Sequence, residues 1–197
     1  MGEMLGPLVL FAVSVCFTPG PNVVMITASG ANFGFRRAIP HILGITAGFG
    51  AMTLTSGLGL AGLFHAEPRL HFGLKYMGAI YLLYLAWRIA RADAAAVDLR
   101  RARPIGFVEA VIFTWLNPKA WVSTIGALAA FTTLDGDLAL QSAVIAGVLA
   151  VACLASCLVW AGFGVTVGHF LRSRRSRRLF NGGLASLLVL SLIPVLW

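Results

Sequence analysis

The sequence predicts an all-α integral membrane protein with six transmembrane helices, arranged as two inverted three-helix repeats in which helices 1 and 4 are broken. Two observations on composition predict this class. The 197 residues are 59% hydrophobic and only 11% charged, against about 45–50% and about 25% in a soluble domain, and the mean hydropathy is +0.89. A third observation predicts the broken helices, because prolines interrupt two of the long apolar segments near their centres.

Six apolar segments are long enough for a membrane span, which needs about 17–25 residues. They cover residues 4–27, 39–64, 72–90, 105–133, 138–167 and 179–197. The segments between them are short, so we expect a single transmembrane domain over 1–197. Its repeats cover about 1–90 and 105–197, joined by a cytoplasmic linker over 91–104. No signal peptide is predicted, because no Lys or Arg precedes the first apolar segment.

The basic residues are distributed unequally between the two sides of the predicted spans. Twelve of them follow spans one, three and five, namely Arg36, Arg37, Arg88, Arg91, Arg100, Arg101, Arg103, Arg172, Arg174, Arg175, Arg177 and Arg178. Only Arg69 and Lys75 lie on the other side. Because short cytoplasmic loops are rich in Lys and Arg, both termini are expected outside the cytoplasm. This topology, with anionic lipid headgroups near the 172–178 cluster, accounts for the net charge of +8 without a nucleic-acid partner.

The interruptions fall in the first span of each half. One is Thr18-Pro19-Gly20-Pro21-Asn22 and the other is Asn117-Pro118-Lys119. An interior proline removes a helical hydrogen bond and displaces the carbonyl four residues earlier, so the carbonyls of Val15, Phe17 and Thr114 are expected to be freed. Such groups are tolerated at membrane depth only where protein, water or a ligand satisfies them. Interrupted helices at corresponding places of inverted halves are typical of a transporter's binding site.

Lys119 is the one charged residue near the middle of a predicted span. A charge there costs about 2.5–3.5 kcal/mol even on the gentler insertion scale, so it should face a cavity or a partner. Its expected role is to meet a substrate carboxylate or to change protonation during transport. Asn22 and Asn117 can hold either freed backbone groups or a substrate, and Thr18 and Thr114 can back-bond within their helices. The candidate substrate-binding residues are Thr18, Pro19, Gly20, Pro21, Asn22, Gly48, Thr114, Asn117, Pro118 and Lys119.

Other chemistry-bearing residues are interpreted as structural. Gly48 can either serve helix packing, as do Gly164 and Gly168, or make room for a substrate. The three cysteines (Cys16, Cys153 and Cys157) are expected to be small packing residues, and the four histidines (His41, His65, His71 and His169) to lie at the membrane interface. No catalytic constellation emerges from the sequence. We therefore expect no enzyme activity, no cofactor and no metal.

The chain resembles members of the LysE/RhtB superfamily of amino-acid exporters over essentially its whole length. Besides the two interruptions, the resemblance is carried by Gly34-Phe35-Arg36, by GAIYL at 78–82 and by LAWRIA at 85–90. The branch most similar to it is that of cysteine and O-acetylserine exporters, on the residues 157–162 and Gly168-His169. Many members carry an acidic residue in the fifth span, whereas residues 153–160 contain none. This departure favours a small neutral substrate over a cationic one.

The resemblance implies export of a small neutral amino acid or derivative, of the cysteine/O-acetylserine or threonine/homoserine type, by alternating access across a bacterial inner membrane. Membrane potential or a proton gradient would drive it. The expected partners are the amino-acid substrate and membrane lipids, with a homo-oligomer left open. An alternative from another class is a membrane scaffold or lipid-interacting protein without transport activity, which uses the arginine cluster.

Overall fold

The computed structural model describes residues 2–60, 80, 83–84, 86–87, 103–132, 137–171 and 174–190, and these contain seven α-helices and no strand. The helices are α1 (Gly2–Phe17), α2 (Pro21–Phe33), α3 (Phe35–Thr55), α4 (Phe107–Leu116), α5 (Pro118–Phe131), α6 (Leu138–Phe170) and α7 (Arg174–Leu190). A π-helical turn, Ser56–Leu60, continues α3. The predicted all-helical class is confirmed for this part of the chain.

Three stretches within these residues have the length and apolarity of a membrane span. They are Phe35–Gly59, Leu138–Phe170 and the pair Met4–Phe17 and Pro21–Phe33, whose two helices are bent by 58°. The predicted third span lies mostly outside the described residues, and so does most of the linker over 91–104. The arrangement of six spans in two inverted repeats accordingly remains a prediction.

Helix α6 is the central rod of the described fold. Its 33 residues make it about 50 Å long at about 1.5 Å per residue, and its most apolar part has a mean hydropathy of 2.5. The Asp137 carboxylate caps its start by accepting the N–H of Ala139 at 2.9 Å. Helices α1, α2 and α3 all pack against α6, so that the bent pair and α3 surround one rod.

Glycines allow α2 and α6 to approach backbone to backbone. A Cβ atom at Gly30 would collide with the carbonyl oxygen of Ala161, and one at Gly164 would collide with the carbonyl oxygen of Thr27. At Gly168 it would lie 2.6 Å from the carbonyl oxygen of Ala31. Small residues permit this closeness in lipid, where packing rather than the hydrophobic effect holds helices together. These contacts confirm the packing role predicted for Gly164 and Gly168.

The loop predicted after the first span is replaced by a turn of one residue. Helix α2 runs on to Phe33 and α3 begins at Phe35, with only Gly34 between them. Gly34 has a φ of 80°, in the left-handed region that glycine enters without a steric penalty. The prediction of a loop around Arg36 and Arg37 was therefore wrong, and both arginines lie exposed in the first turn of α3. Similarly, α7 begins at Arg174, within the predicted basic loop.

A reciprocal amide pair joins α2 to α7. The Asn32 amide donates to the Asn181 oxygen at 3.2 Å, and the Asn181 amide donates back at 3.4 Å. Asn32 also donates to the carbonyl of Ala28 at 2.9 Å. Since Asn181 is only 1% exposed, water does not compete for these bonds, and the pair fixes the position of α7 along α2.

We expect Asn181→Ala to lower stability modestly, because it removes both bonds of the pair and leaves the Asn32 carbonyl oxygen unsatisfied. The loss should be about 1 kcal/mol, typical of side-chain hydrogen bonds between membrane helices, and should lower Tm by about 2–4 °C. Thermal unfolding of the purified protein in detergent measures it. Leu187→Ala, at a position 53% exposed on the same helix, is the control and should leave Tm nearly unchanged.

Candidate functional site

The first break lies between α1 and α2, at Thr18, Pro19 and Gly20. The N–H of Thr18 still bonds to the carbonyl of Ser14 at 3.2 Å, and its hydroxyl bonds to the same oxygen at 2.5 Å. Pro19 has no N–H and ends the helix. Pro21 then occupies the first position of α2, where a missing N–H costs nothing because no intrahelical acceptor is available. The carbonyls of Thr18 and Pro19 lie in the gap between the two helices.

The second break, at Asn117, satisfies its own backbone. The Asn117 N–H bonds to the carbonyl of Thr114 at 3.2 Å, so the prediction that Pro118 frees this carbonyl was wrong; a tighter turn replaces the bond that proline removes. The Asn117 side chain accepts the N–H of Lys119 at 3.1 Å and caps α5. The indole N–H of Trp121 reaches back to the carbonyl of Trp115 at 2.7 Å.

The two breaks meet in space, as the sequence predicts. The Lys119 ammonium donates to the carbonyl oxygen of Thr18 at 2.6 Å, and a longer contact of 3.5 Å joins it to that of Pro19. The Asn117 amide donates to the side-chain oxygen of Asn22 at 3.2 Å. Lys119 therefore faces the break of the first span rather than lipid headgroups, and the carbonyls that proline exposes have a charged donor.

A cavity of about 50 Å³ lies beside these contacts, which is room for a few water molecules at about 10–15 Å³ each. Both breaks and α6 line it. The lining residues are Val15, Cys16, Thr18, Gly20, Pro21, Asn22, Val23, Phe49, Asn117, Lys119, Ala120, Ser123, Cys153, Ser156 and Cys157. None of them is acidic, and Lys119 and Asn22 are only half-buried, so the cavity combines one cation with neutral polar groups.

Small polar and sulfur groups of α6 form one wall of the cavity, which the sequence reasoning missed. Ser156 donates to the carbonyl of Cys16 at 2.7 Å, and the Cys16 thiol contacts the carbonyl of Leu149 at 3.9 Å. Cys153 and Cys157 lie on the same face of α6 as Ser156 and are buried. Their spacing of three and four residues signals one shared face. The spacing does not show which helix or cavity that face contacts. The prediction that the cysteines serve only packing was therefore incomplete.

Four of the predicted site residues lie outside the lining of the cavity: Gly48, Thr114, Pro19 and Pro118. Gly48 packs against α4, where an added Cβ would lie 3.2 Å from the Cα of Val111 and 3.3 Å from the Cβ of Thr114. The Thr114 hydroxyl back-bonds to the carbonyl of Ala110 at 3.0 Å. Gly48 and Thr114 therefore position α4 against α3, while the two prolines shape the breaks.

His41 is not interfacial, contrary to the sequence-based prediction. Its ring is fully buried (0% exposed), and its Nδ1 lies 2.8 Å from the hydroxyl of Ser29. The tight turn at Gly34 causes this, because it folds α3 directly back along α2. His169 is exposed near the end of α6, and its location at the membrane interface stays a prediction; His65 and His71 lie outside the described residues. Among the side chains that the structure describes, no group of three or more His, Cys, Asp or Glu residues is placed to hold a metal ion.

Sequence comparison identifies several relatives of this chain, whereas no solved structure shows a significant match. An uncharacterized membrane protein of Pseudomonas aeruginosa is 38% identical over 125 residues, which cover 57% of this chain and 56% of that protein. The cysteine/O-acetylserine efflux protein of Salmonella typhimurium is 32% identical over 61% of this chain and 62% of its own length. The efflux protein of the same name from Klebsiella pneumoniae is 27% identical over 65% of each. The chain thus spans less than two thirds of the length of each of these relatives.

A family comparison covers more of the chain than these pairwise similarities do. The model of the LysE type translocator matches residues 13–192. That range includes both breaks, the wall of α6 and all of α7. The resemblance predicted from the proline motifs is confirmed, and the chain belongs to the LysE family of translocators.

Proposed function

We propose that the protein is a secondary transporter that exports small neutral amino acids or their derivatives across the bacterial inner membrane. One observation carries the proposal: the Lys119 ammonium bridges two broken helices at the edge of a cavity, 2.6 Å from the carbonyl of Thr18. Broken helices that present backbone groups beside a cavity are how many transporters bind substrates at mid-membrane. The chain's membership of a translocator family supports the same function.

The substrate carboxylate has natural partners in this cavity. Lys119 supplies a cation, and the first turn of a helix contains N–H groups without an intrahelical acceptor. In α2 these belong to Asn22 and Val23, which both line the cavity. A helix N-terminus also carries a partial positive charge that attracts anions. We therefore assign the carboxylate to the space between Lys119 and the start of α2.

The substrate ammonium needs acceptors, and the breaks supply them. The carbonyl oxygens of Thr18 and Pro19 are directed at an ammonium group already, that of Lys119. The side-chain oxygen of Asn22 lies close by, where it accepts from Asn117 at 3.2 Å. Together these oxygens offer a second ammonium group the neutral, directional partners that it requires.

The wall of α6 suggests the substrate class. It presents two thiols and a hydroxyl, from Cys153, Cys157 and Ser156, and Ser123 adds a hydroxyl on the other side. Among the described residues that line the cavity, no acidic group is present to pair with a cationic side chain. A small neutral side chain fits this lining, which favours the cysteine/O-acetylserine or threonine/homoserine type. The names of the Salmonella and Klebsiella relatives support the first of these.

Alternating access and the membrane topology are part of the proposal. Asn117 and Lys119 form polar bonds to the first break, and these are contacts that would break and re-form when one half moves against the other. Both termini would lie in the periplasm. The exposed Arg175 and Arg178 would then face the anionic headgroups of the cytoplasmic leaflet.

Proteoliposomes loaded with labelled amino acids test the proposal. We expect a pH gradient or a membrane potential to drive release of cysteine, O-acetylserine, threonine or homoserine, and not of lysine. Asn117→Ala should lower the release by up to about 30-fold, because it removes both the cap of α5 and the bond to Asn22, each worth about 1 kcal/mol. Val122→Ala, at a position 73% exposed on α5, is the control.

The result that would overturn the proposal is equal release from protein-containing and protein-free vesicles for every amino acid. Normal release by Asn117→Ala, at unchanged protein content, would show that transport does not depend on the contacts that Asn117 makes at the breaks. A protein that moves no solute, but whose membrane binding depends on Arg175 and Arg178, would support the lipid-interacting alternative.

A further inference from the structure

Within the part of the chain that the structure describes, Lys119 has main-chain partners and no acidic one. Its ammonium group contacts the carbonyl oxygens of Thr18 at 2.6 Å and Pro19 at 3.5 Å. Among the described residues that line the cavity, none is a Glu or Asp that could pair with it. An ammonium group bonds more strongly to a carboxylate than to a neutral carbonyl. The bond to Thr18 is therefore one that an incoming carboxylate can replace.

Gly20 creates the space in which the lysine side chain lies. A Cβ atom at Gly20 would lie 2.8 Å from Cδ and 3.0 Å from Nζ of Lys119, closer than side-chain carbons approach one another. The backbone of Gly20 does not itself require glycine, because its φ of −171° and ψ of −176° are extended and open to any residue. What Gly20 supplies is room for Lys119.

We propose that Lys119 is a built-in ligand of the first break. In this conformation its ammonium group occupies the carbonyl site that the ammonium group of the substrate takes over, and Gly20 is the positioning residue that holds it there. The inference rests on the proposed function, since it describes how the same cavity admits its substrate.

Binding then becomes an exchange of partners. The substrate carboxylate draws the Lys119 ammonium away from Thr18 and Pro19, and the substrate ammonium takes the two vacated carbonyls. Neither the carbonyls nor the lysine is left without a partner at any stage, which avoids the cost of an unsatisfied polar group at membrane depth. The movement of Lys119 also enlarges a cavity that measures only about 50 Å³ while the side chain lies across it.

The carbonyl site can be tested without any transport measurement. In Lys119→Ala the site is vacated, and ethylammonium chloride should refill it and raise Tm. The expected rise is about 3–5 °C at tenfold the dissociation constant of ethylammonium. The wild-type protein, whose site is occupied, should not respond. Sodium chloride and tetramethylammonium chloride, whose cations have no N–H to donate, should stabilise neither protein.

Ethylammonium is kept present throughout purification, so that a variant too unstable to survive alone still gives an answer. Recovery of folded Lys119→Ala only with ethylammonium supports the carbonyl site. An equal yield and an equal Tm in ethylammonium and in sodium chloride contradict it.

The positioning role of Gly20 has its own test, because Gly20→Ala leaves the lysine in the chain but removes its space. If Lys119 competes with the substrate, the substrate concentration for half-maximal binding should fall about 3- to 10-fold in Gly20→Ala. The reason is that the apparent dissociation constant falls as the fraction of protein molecules with vacant carbonyls rises. A merely structural Gly20 would give unchanged or weaker binding. Gly126→Ala on α5 is the matched control, because its Cβ would meet only the Cζ of Phe11 at 3.8 Å.

The two proposals fail in different ways. One outcome is export of amino acids by the wild-type protein, no effect of ethylammonium on Lys119→Ala and weaker substrate binding by Gly20→Ala. This outcome contradicts the proposal that Lys119 is a built-in ligand but supports the proposed transport function. Stabilisation by ethylammonium in a protein that exports nothing keeps the carbonyl site and overturns the transporter.

Discussion

Lys119→Met should lower the rate of export at least about tenfold while leaving the amount of protein in the membrane unchanged. The substitution keeps an unbranched chain beside Gly20 but removes the ammonium group that is proposed to bind the substrate carboxylate. Hydrogen bonds to charged groups contribute about 1.5–3 kcal/mol, which corresponds to a loss of about 10- to 150-fold in transport rate. Initial rates of release from proteoliposomes, normalised to protein content, measure the effect.

Two further variants make this result specific to the charge. Lys119→Arg keeps the cation but adds bulk where Gly20 already lies against the side chain, so it should restore activity only in part. Val122→Ala, on the exposed face of α5, should transport normally. Export by Lys119→Met at more than half of the wild-type rate would show that the lysine serves stability alone, and the assignment of the substrate carboxylate would have to be abandoned.

Gly164→Ala should strongly destabilise the described core, although it adds only one methyl group. The added Cβ would collide with the carbonyl oxygen of Thr27 and would lie 3.0 Å from its carbonyl carbon. Because these are backbone atoms of α2, the helix itself must move away from α6. Overpacking of this kind costs about 1–3 kcal/mol and occasionally more, which predicts a fall in Tm of about 2–12 °C.

Gly162→Ala is the matched control on the same helix, since nothing lies within 4 Å of its Cβ position. There the sign should reverse, because alanine favours a helix over glycine by about 1 kcal/mol. Thermal unfolding in detergent compares the two variants directly. An equal Tm for both would mean that α2 and α6 do not approach as closely as their glycines allow.

Much of the site follows from local chemistry and was therefore predictable from the sequence. A proline deep inside a long apolar segment removes a helical hydrogen bond in any fold, so the interruptions at Pro19 and Pro118 were predictable. Pro7 and Pro40, near the starts of α1 and α3, lie within continuous helices. A charge at membrane depth needs a partner in any fold, which singled out Lys119. The caps and back-bonds of Asn117 and Thr114 are likewise contacts within a few residues.

Sequence reasoning fell short where a contact joins distant parts of the chain. Gly48, for which the sequence left helix packing and a substrate role open, packs on α4, and His41, which was predicted to be interfacial, is folded against Ser29. In both cases the docking of α3 decided the outcome. That docking depends on the one-residue turn at Gly34, whose φ of 80° the apolar pattern does not reveal.

The sequence by itself determined an apolar, helical membrane protein, the positions of its two breaks and the polar residues beside them, because each depends on neighbours along the chain. Only the tertiary structure decided that Lys119 reaches the carbonyls of Thr18 and Pro19. It alone brought Cys153, Ser156 and Cys157 to the wall of the cavity. The physical reason is that close contact between the backbones of α2 and α6, at Gly30 and Gly164, selects which face of α6 turns toward the break.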